Sequence, residues 1–302
     1  MNINRKFFLK SLSLSLTNTS EYVILLIHNK NTHLNLERIV NRDLVLFDMD
    51  GTLTEARKPF ASFLSSPLWS LGQVADIGIV TGSDLDYVQE QLQVLIENHS
   101  IRYSLHILPC NGTKWLSPPE FPSHPHNLEH EAQMEKQVGK LKYRKLIESL
   151  IQLQLECSDY DIPLTGNFIS ARGSMVNWCP TGRNANDKQR KHFKKFDKKN
   201  RFRSQMFMKL RLILDANDMQ DITVKLGGDT SFDIYPMGWD KTYALRHFDD
   251  RKIWFVGDRA RSPKGNDYEI FQACGDRSFH TDGPESTEGI IKSITERIRS
   301  KK

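Results

Sequence analysis

The sequence predicts an α/β fold: a core with a parallel sheet, interrupted by an inserted α+β segment with an antiparallel sheet. Three observations carry this. Apolar runs of strand length stop at an acid or a small residue in LVLFDMDGTLT (Leu44–Thr54), ADIGIVTGSD (Ala75–Asp84) and KIWFVGD (Lys252–Asp258). A helical apolar period follows the second of them. The middle of the chain changes to short strand-like runs joined across glycine turns. Strands buried on both faces read as unbroken apolar runs, and helices between them supply the crossovers of a parallel sheet.

Leu44–Phe47 is the first strand and Ala75–Val80 the second. Asp84–Glu97 then reads as a helix, with Asp84 as N-cap and Leu85, Val88, Leu92 and Leu95 at helical spacing. Leu105–Leu108 is a third strand. Trp115–Asn127 contains Pro118, Pro119, Pro122 and Pro125 and reads as a linker. Glu129–Glu156 reads as one helix, with Met134, Val138, Leu141, Leu146, Leu150 and Leu153 as its buried stripe. Asn167–Ala171 and Met175–Trp178 flank Arg172-Gly173-Ser174, a hairpin signal. Thr223–Leu226 and Phe232–Tyr235 flank Gly227-Gly228-Asp229 and form a second hairpin. The parallel pattern resumes at Lys252–Val256. The expected division is an extension at 1–41, a core at 42–114 and 237–302, and a cap at 115–236.

Composition narrows the function. The chain has 302 residues, 38% hydrophobic and 26% charged, with 42 Lys and Arg against 37 Asp and Glu, a formal charge of +5. That mild excess suits a phosphate-bearing small molecule and does not call for nucleic acid. Nine of the sixteen residues in Lys188–Arg203 are Lys or Arg. The spacing of Phe193, Phe196 and Phe202 within that stretch predicts one packed face and a solvated basic one. The four cysteines, Cys110, Cys157, Cys179 and Cys274, include no CxxC pair, which speaks against zinc or a disulfide framework and fits a reducing cytoplasm. No apolar run is long enough to span a membrane. Met1–Ser20 is rich in Ser, Leu and Asn and carries no acid. It reads as a loosely ordered extension or a misassigned start, with a transit-type segment as the alternative. The run YVILLI (Tyr22–Ile27) suits a strand or a helix, and the segment is assigned no chemistry.

The chemistry concentrates at strand ends. In open parallel sheets, ligands bind at the carboxyl edge, which would collect Asp48, Thr81, Ser83 and Asp258. An acid at the end of a buried strand is a poor packing choice unless it reacts or binds metal. Asp48 and Asp50, two positions apart, can face one pocket. One carboxylate attacks phosphorus while the other passes a proton to the leaving oxygen and later takes one back. Attack of one anion on another needs neutralisation, which Mg²⁺ supplies through oxygen ligands. Asp258 offers a third carboxylate. Lys241, in GWDK, and the Thr81–Ser83 main chain and hydroxyls can hold phosphoryl oxygens.

This set, in this order, resembles the haloacid-dehalogenase-like phosphotransferases. FDMDGTLTEAR, TGSDLDYVQEQL, GNFISARGSMVNWCPTGR, GGDTSFDIYPMGWDK and GNDYEIF resemble, more narrowly, the eukaryotic-type phosphomannomutase family over about residues 44–290. The resemblance implies a Rossmann-like core with an α/β cap inserted between the second and third motifs, and dimerisation through the cap. It implies interconversion of mannose 6-phosphate and mannose 1-phosphate in the cytoplasm for GDP-mannose synthesis. A hexose 1,6-bisphosphate would be the activator. Asp48 would be the nucleophile, Asp50 the acid/base, and Lys241 the partner of the transferring phosphoryl group. Arg57 would help hold substrate. Arg172, Arg183 and Arg190 would clamp the distal phosphate, and Ser231 and Asp233 would bind sugar hydroxyls or that phosphate. Asp48, the main chain of Asp50, and Asp258 would hold Mg²⁺, supported by Asn266 and Asp267. The metal loop GDRARSPKGNDYEI departs from the family by one extra residue, by Arg259 in place of Lys and by Lys264 in place of Gly. A sugar-phosphate phosphatase of the same superfamily is the alternative. A non-catalytic anion binder using the basic run is a third reading, opposed by the intact acids.

Overall fold

The computed structural model describes residues 42–55, 58–121, 124–263 and 265–300. The extension at 1–41, with its apolar run Tyr22–Ile27, lies outside these residues, as do Arg57 and Lys264. From Asp43 onward the chain forms one compact unit.

In chain order the first half holds β1 (Leu44–Phe47), α1 (Ser65–Gly72), β2 (Asp76–Val80), α2 (Leu85–Ile96), β3 (Leu105–Leu108), β4 (Lys114–Ser117), β5 (Asn127–Glu131), α3 (Met134–Val138) and α4 (Lys140–Glu156). There follow β6 (Ile169–Ala171), β7 (Val176–Trp178), α5 (Asp187–Asn200), α6 (Phe202–Ala216), β8 (Ile222–Gly227), β9 (Ser231–Pro236), β10 (Ile253–Gly257), α7 (Tyr268–Cys274), β11 (Ser278–His280) and α8 (Pro284–Arg299). Seven strands make one sheet, in the order β11-β10-β1-β2-β3-β4-β5, and four make a second, β6-β7-β9-β8. The pairs among β11, β10, β1, β2 and β3 are parallel; every pair in the smaller sheet is antiparallel.

β1 sits between β10 and β2. Val45 and Phe47 pack on one face with residues of α1, α2 and α8, while Leu44 and Leu46 pack on the other with Phe255, Ile270 and Cys274. Both faces are covered, so no polar position interrupts the run. In the smaller sheet only one face meets helices. Val176, Trp178, Phe232 and Ile234 join Phe193, Phe202, Met206 and Leu210 in a separate core. The two-residue period of a strand turns the intervening Asn177, Ser231 and Asp233 to the opposite face. On α5 the aromatics pack as the spacing predicts: Phe193 meets Phe202 edge-on at 5.8 Å.

Within 115–236, the expected cap, Trp115–Ser117 of β4 and Asn127–Glu131 of β5 pair into the larger sheet. Leu116 pairs with Ile107 of β3. Trp115 stacks on His247 at 4.9 Å, and its indole N–H donates to His106 Nδ1 at 3.2 Å. β5 lies at the sheet edge and reads NLEHE, half-buried to exposed, so it carries no apolar signature. The expected single helix over Glu129–Glu156 therefore starts at Met134. It is also broken at Gly139, whose φ of +86° is a conformation helices do not adopt.

Candidate active site

β1 delivers Asp48 to the carboxyl edge of the sheet. Its N–H bonds Val256 O of β10 at 2.9 Å, so the nucleophile candidate and the Gly257-Asp258 strand end are tied in register. The chain then turns sharply. Gly51 takes φ +86°, and a Cβ at that position would lie 2.5 Å from Asp258 Oδ2. Only glycine lets the turn pass this close to the opposing carboxylate.

Asp48, Asp258 and Asp267 each place an oxygen within 4.8 Å of the others. Lys241 enters from the short 3₁₀ segment Lys241–His247, whose start is fixed by Asp240 accepting from Thr242 N at 2.9 Å. The lysine side chain is 1% exposed. Its Nζ donates to Asp48 Oδ1 and, at 2.6 Å, to Asp267 Oδ1. Burial pushes the Asp48 carboxyl well above its usual range, the Asp267 charge adds to this, and Lys241 opposes it. Burial also disfavours the Lys241 charge, but Asp267 and Asp48 outweigh it and its pKa is raised. The ammonium is therefore retained, facing three acids. Asp258 is raised in turn, by burial and then by Asp267. A negative surplus in a buried, all-oxygen cluster fits a hard divalent cation. Two further features agree: Asp258 Oδ1 and Asn266 Oδ1 are buried without a hydrogen-bond partner among the described residues.

Asp50 stands apart from the carboxylate cluster. Its Oδ1 accepts from the Tyr87 hydroxyl of α2 at 3.2 Å. Thr81 and Ser83 follow β2, where Thr81 Oγ1 accepts from Ser83 N at 3.1 Å.

The uncovered face of the smaller sheet closes over these groups. The half-open cavity between them, about 200 Å³, is lined on the side of the larger sheet by Asp48, Asp50, Thr81, Ser83, Tyr87, Asp258 and Asn266. From the smaller sheet it is lined by Arg172, Asn177, Arg183, Arg190, Ser231 and Asp233. Arg172 crosses directly between the two: Nη1 donates to Gly82 O at 2.7 Å, and Nε lies 3.3 Å from Asp84 Oδ2. Arg183 Nη1 donates to Asn177 Oδ1 at 3.3 Å, and Asn177 donates to Asp233 Oδ1 at 2.7 Å. The Ser231 hydroxyl donates to Gly227 O at 2.7 Å. Two more bridges cross, Arg259 to Asp229 at 3.6 Å and Lys225 to Glu269 at 2.5 Å.

The model of the family described as eukaryotic phosphomannomutase matches residues 64–297. The chain belongs to this family. A phosphomannomutase of Schizosaccharomyces pombe is 36% identical over 276 residues, 85% of this chain and 96% of its own. One from Spinacia oleracea is 34% identical over 86% of this chain and 97% of its own. Solved structures share the haloacid-dehalogenase-like fold. A Plasmodium falciparum IMP-nucleotidase has a TM-score of 0.56 at 15% identity, over 86% of this chain and 70% of its own. A trehalose-6-phosphate phosphatase related protein has 0.50 at 16% identity, over 86% of this chain and all (100%) of its own.

The sequence-predicted residues of this phosphomannomutase-family chain that are described meet in one place. The Asp50 carboxylate stands outside the acidic cluster, in keeping with an expected metal role for its main chain alone, and Arg172 turns Nη1 and Nε to Gly82 O and Asp84. Arg57 lies outside the described residues. Tyr87, Asn177 and Asp229 were not anticipated. A signal for Tyr87 existed, since it falls in the first turn of a helix whose N-cap directly follows a phosphate-loop candidate.

Proposed function

We propose that this chain interconverts mannose 6-phosphate and mannose 1-phosphate and thereby supplies GDP-mannose synthesis in the cytoplasm. The observation that carries the reading is the pairing, across one cavity, of Asp48 with the three arginines Arg172, Arg183 and Arg190. A mutase holds a sugar bisphosphate in two opposite orientations and needs a phosphate site at each end. Guanidinium groups suit the non-reacting end because they bind phosphate bidentately.

In this reading phosphorylated Asp48 passes its phosphoryl group to the free hydroxyl of a mannose monophosphate, the Asp48–phosphorus bond breaks, and Asp50 takes the hydroxyl proton, giving a hexose bisphosphate. The bisphosphate turns end for end, Asp48 attacks the phosphorus at its other end, that P–O bond to the sugar breaks, and Asp50 returns the proton to the departing oxygen. Lys241, with Thr81 and Ser83, holds the phosphoryl oxygens. Arg57, Ser231 and Asp233 hold the sugar. Asp48, the Asp50 main chain, Asp258, Asn266 and Asp267 would hold Mg²⁺, which supplies charge neutralisation. A hexose 1,6-bisphosphate primes the cycle by phosphorylating Asp48. We divide the molecule functionally into a core and a closing cap, here 132–236 because β4 and β5 belong to the larger sheet.

Two further proposals complete the reading. The four cysteines are unpaired, which supports a reducing compartment; among the described residues no helix is long and apolar enough to cross a membrane. We also propose a homodimer through the cap. Ile151 and Leu155 on α4 are 56% and 75% exposed, and Met208 and Leu212 on α6 are 58% and 70% exposed. The Glu156–Lys209 ion pair at 2.6 Å joins the two helices beside them. An apolar patch of this kind on a soluble surface marks an interface.

The test is an assay of mannose 6-phosphate formed from mannose 1-phosphate, with Mg²⁺, trace hexose 1,6-bisphosphate and parallel measurement of inorganic phosphate. Isomerisation outrunning phosphate release, and lost in Asp48→Asn, is the expected result. Phosphate release alone would make the chain a sugar-phosphate phosphatase.

A further inference from the structure

Tyr87 lines the cavity that holds both aspartates and sits in the first turn of α2. Its hydroxyl donates to Asp50 Oδ1 at 3.2 Å. The turn that carries it is fixed from two sides. Asp84 Oδ1, the N-cap, accepts from the Tyr87 main-chain N–H at 3.0 Å. The other oxygen of the same carboxylate lies 3.3 Å from Arg172 Nε, on a side chain only 4% exposed. Arg172 is held there by its second contact, to Gly82 O at 2.7 Å. A continuous path of named contacts thus runs from a cap arginine, through the helix N-cap, to the carboxyl beside the nucleophile.

We propose that Tyr87 is a positioning residue for Asp50, and that docking of Arg172 on Asp84 makes this positioning part of cap closure. The inference rests on reading Asp50 as the acid/base. A carboxyl has two oxygens and a soft terminal torsion, so an unanchored one presents either oxygen at many angles. A hydroxyl donated to Oδ1 commits that oxygen as an acceptor. The proton exchanged with the sugar is then exchanged at Oδ2, in one orientation. Tyrosine suits this task because its ring has few torsions and its hydroxyl reaches far from the main chain. Anchoring the first turn through Arg172 confines the ordered carboxyl to the closed molecule, where water is excluded from the phosphoryl group. When the cap lifts, Asp84 keeps its capping bond but loses its cationic partner, and the Tyr87–Asp50 bond loses one of its two supports.

The test compares two substrates in Tyr87→Phe, Asp84→Asn and Asp50→Asn. Mannose 1-phosphate needs a proton on its departing oxygen; p-nitrophenyl phosphate has a leaving group stable as an anion and needs none. Tyr87→Phe is expected to lower kcat for isomerisation roughly tenfold, as removal of an orienting partner typically does, with KM unchanged. Its single-turnover release of p-nitrophenolate, which reports only the phosphorylation of Asp48, stays at the wild-type rate. Asp84→Asn, which keeps a good N-cap but removes the charge facing Arg172, shows the same selective loss. Tyr87→Phe with wild-type isomerisation overturns the inference. So does an equal loss on both substrates, which would mark Tyr87 as merely structural. Asp50→Asn separates the two levels. If it too isomerises normally, the acid/base reading itself has failed. If it is impaired while Tyr87→Phe is not, only the role of Tyr87 has.

Discussion

At Lys241 a single ammonium serves two carboxylates, Asp48 and Asp267, out of contact with water. Removing one partner of such a group leaves uncompensated buried charge, at a cost of about 3–5 kcal/mol. Lys241→Met should therefore lower thermal stability. It should also gain more stability from added Mg²⁺ than the wild type does, because a cation can replace the lost charge. Unfolding curves with Mg²⁺ and with chelator check this; an equal Mg²⁺ increment in both proteins would contradict it. Gly51→Ala tests the neighbouring constraint. The substitution forces a side chain into a left-handed turn against Asp258. Activity should fall on the order of 100-fold, the scale of a 1 Å misplacement at a reacting centre. At this scale much was legible. Asp48 and Asp258 betray themselves because an acid after a buried strand has no packing rationale, and Lys241 was legible through the GWDK stretch. For Tyr87 the place in the first turn after a phosphate-loop candidate was legible, but its contact with a carboxylate 37 positions away was not, because that depends on how α2 sits against the sheet.

Among the elements, the strands with both faces covered were readable and the polar edge was not. β1, β2 and β10 carry their burial in their composition, whereas β5 is defined by main-chain pairing with β4 over Lys114–Glu131 to Ser117–Asn127. Just before β5 stands a half-buried titratable group. His126 Nε2 bonds Leu105 O at 3.1 Å. Burial, reinforced by the Arg102 guanidinium, lowers its pKa from 6.5 to about 4. Between those values the unfolded chain binds the proton that the folded chain refuses. Stability from this site is therefore complete above about pH 6.5 and is lost as pH falls toward 4, by on the order of 1–3 kcal/mol. Urea unfolding midpoints at about pH 7.5 and about pH 5 should show this loss in the wild type, and a smaller one in His126→Gln. Identical losses would remove His126 as a cause.

For the whole molecule, the polar bridges that hold the smaller sheet over the larger include Arg172 to Gly82 and Asp84, Arg259 to Asp229, Lys225 to Glu269, and Thr113 to Ser174. None was visible in the sequence, since each joins segments whose proximity is a product of the fold. The existence of an antiparallel insert was visible, because glycine-centred hairpins are local. The exposed apolar residues of α4 and α6 belong to this scale too. Leu155→Glu combined with Leu212→Glu should convert a dimer to a monomer by light scattering, with unchanged helicity; a monomeric wild type would refute the interface. The claim on which all of this depends is that Asp48 carries the phosphoryl group. Its most direct measurement is peptide mass spectrometry of the chain, acid-quenched after one turnover with Mg²⁺ and a hexose 1,6-bisphosphate. The account predicts a phosphoryl group on the peptide containing Asp48, absent in Asp48→Asn. A phosphoryl group on another residue, or none in a chain that still isomerises, would contradict it.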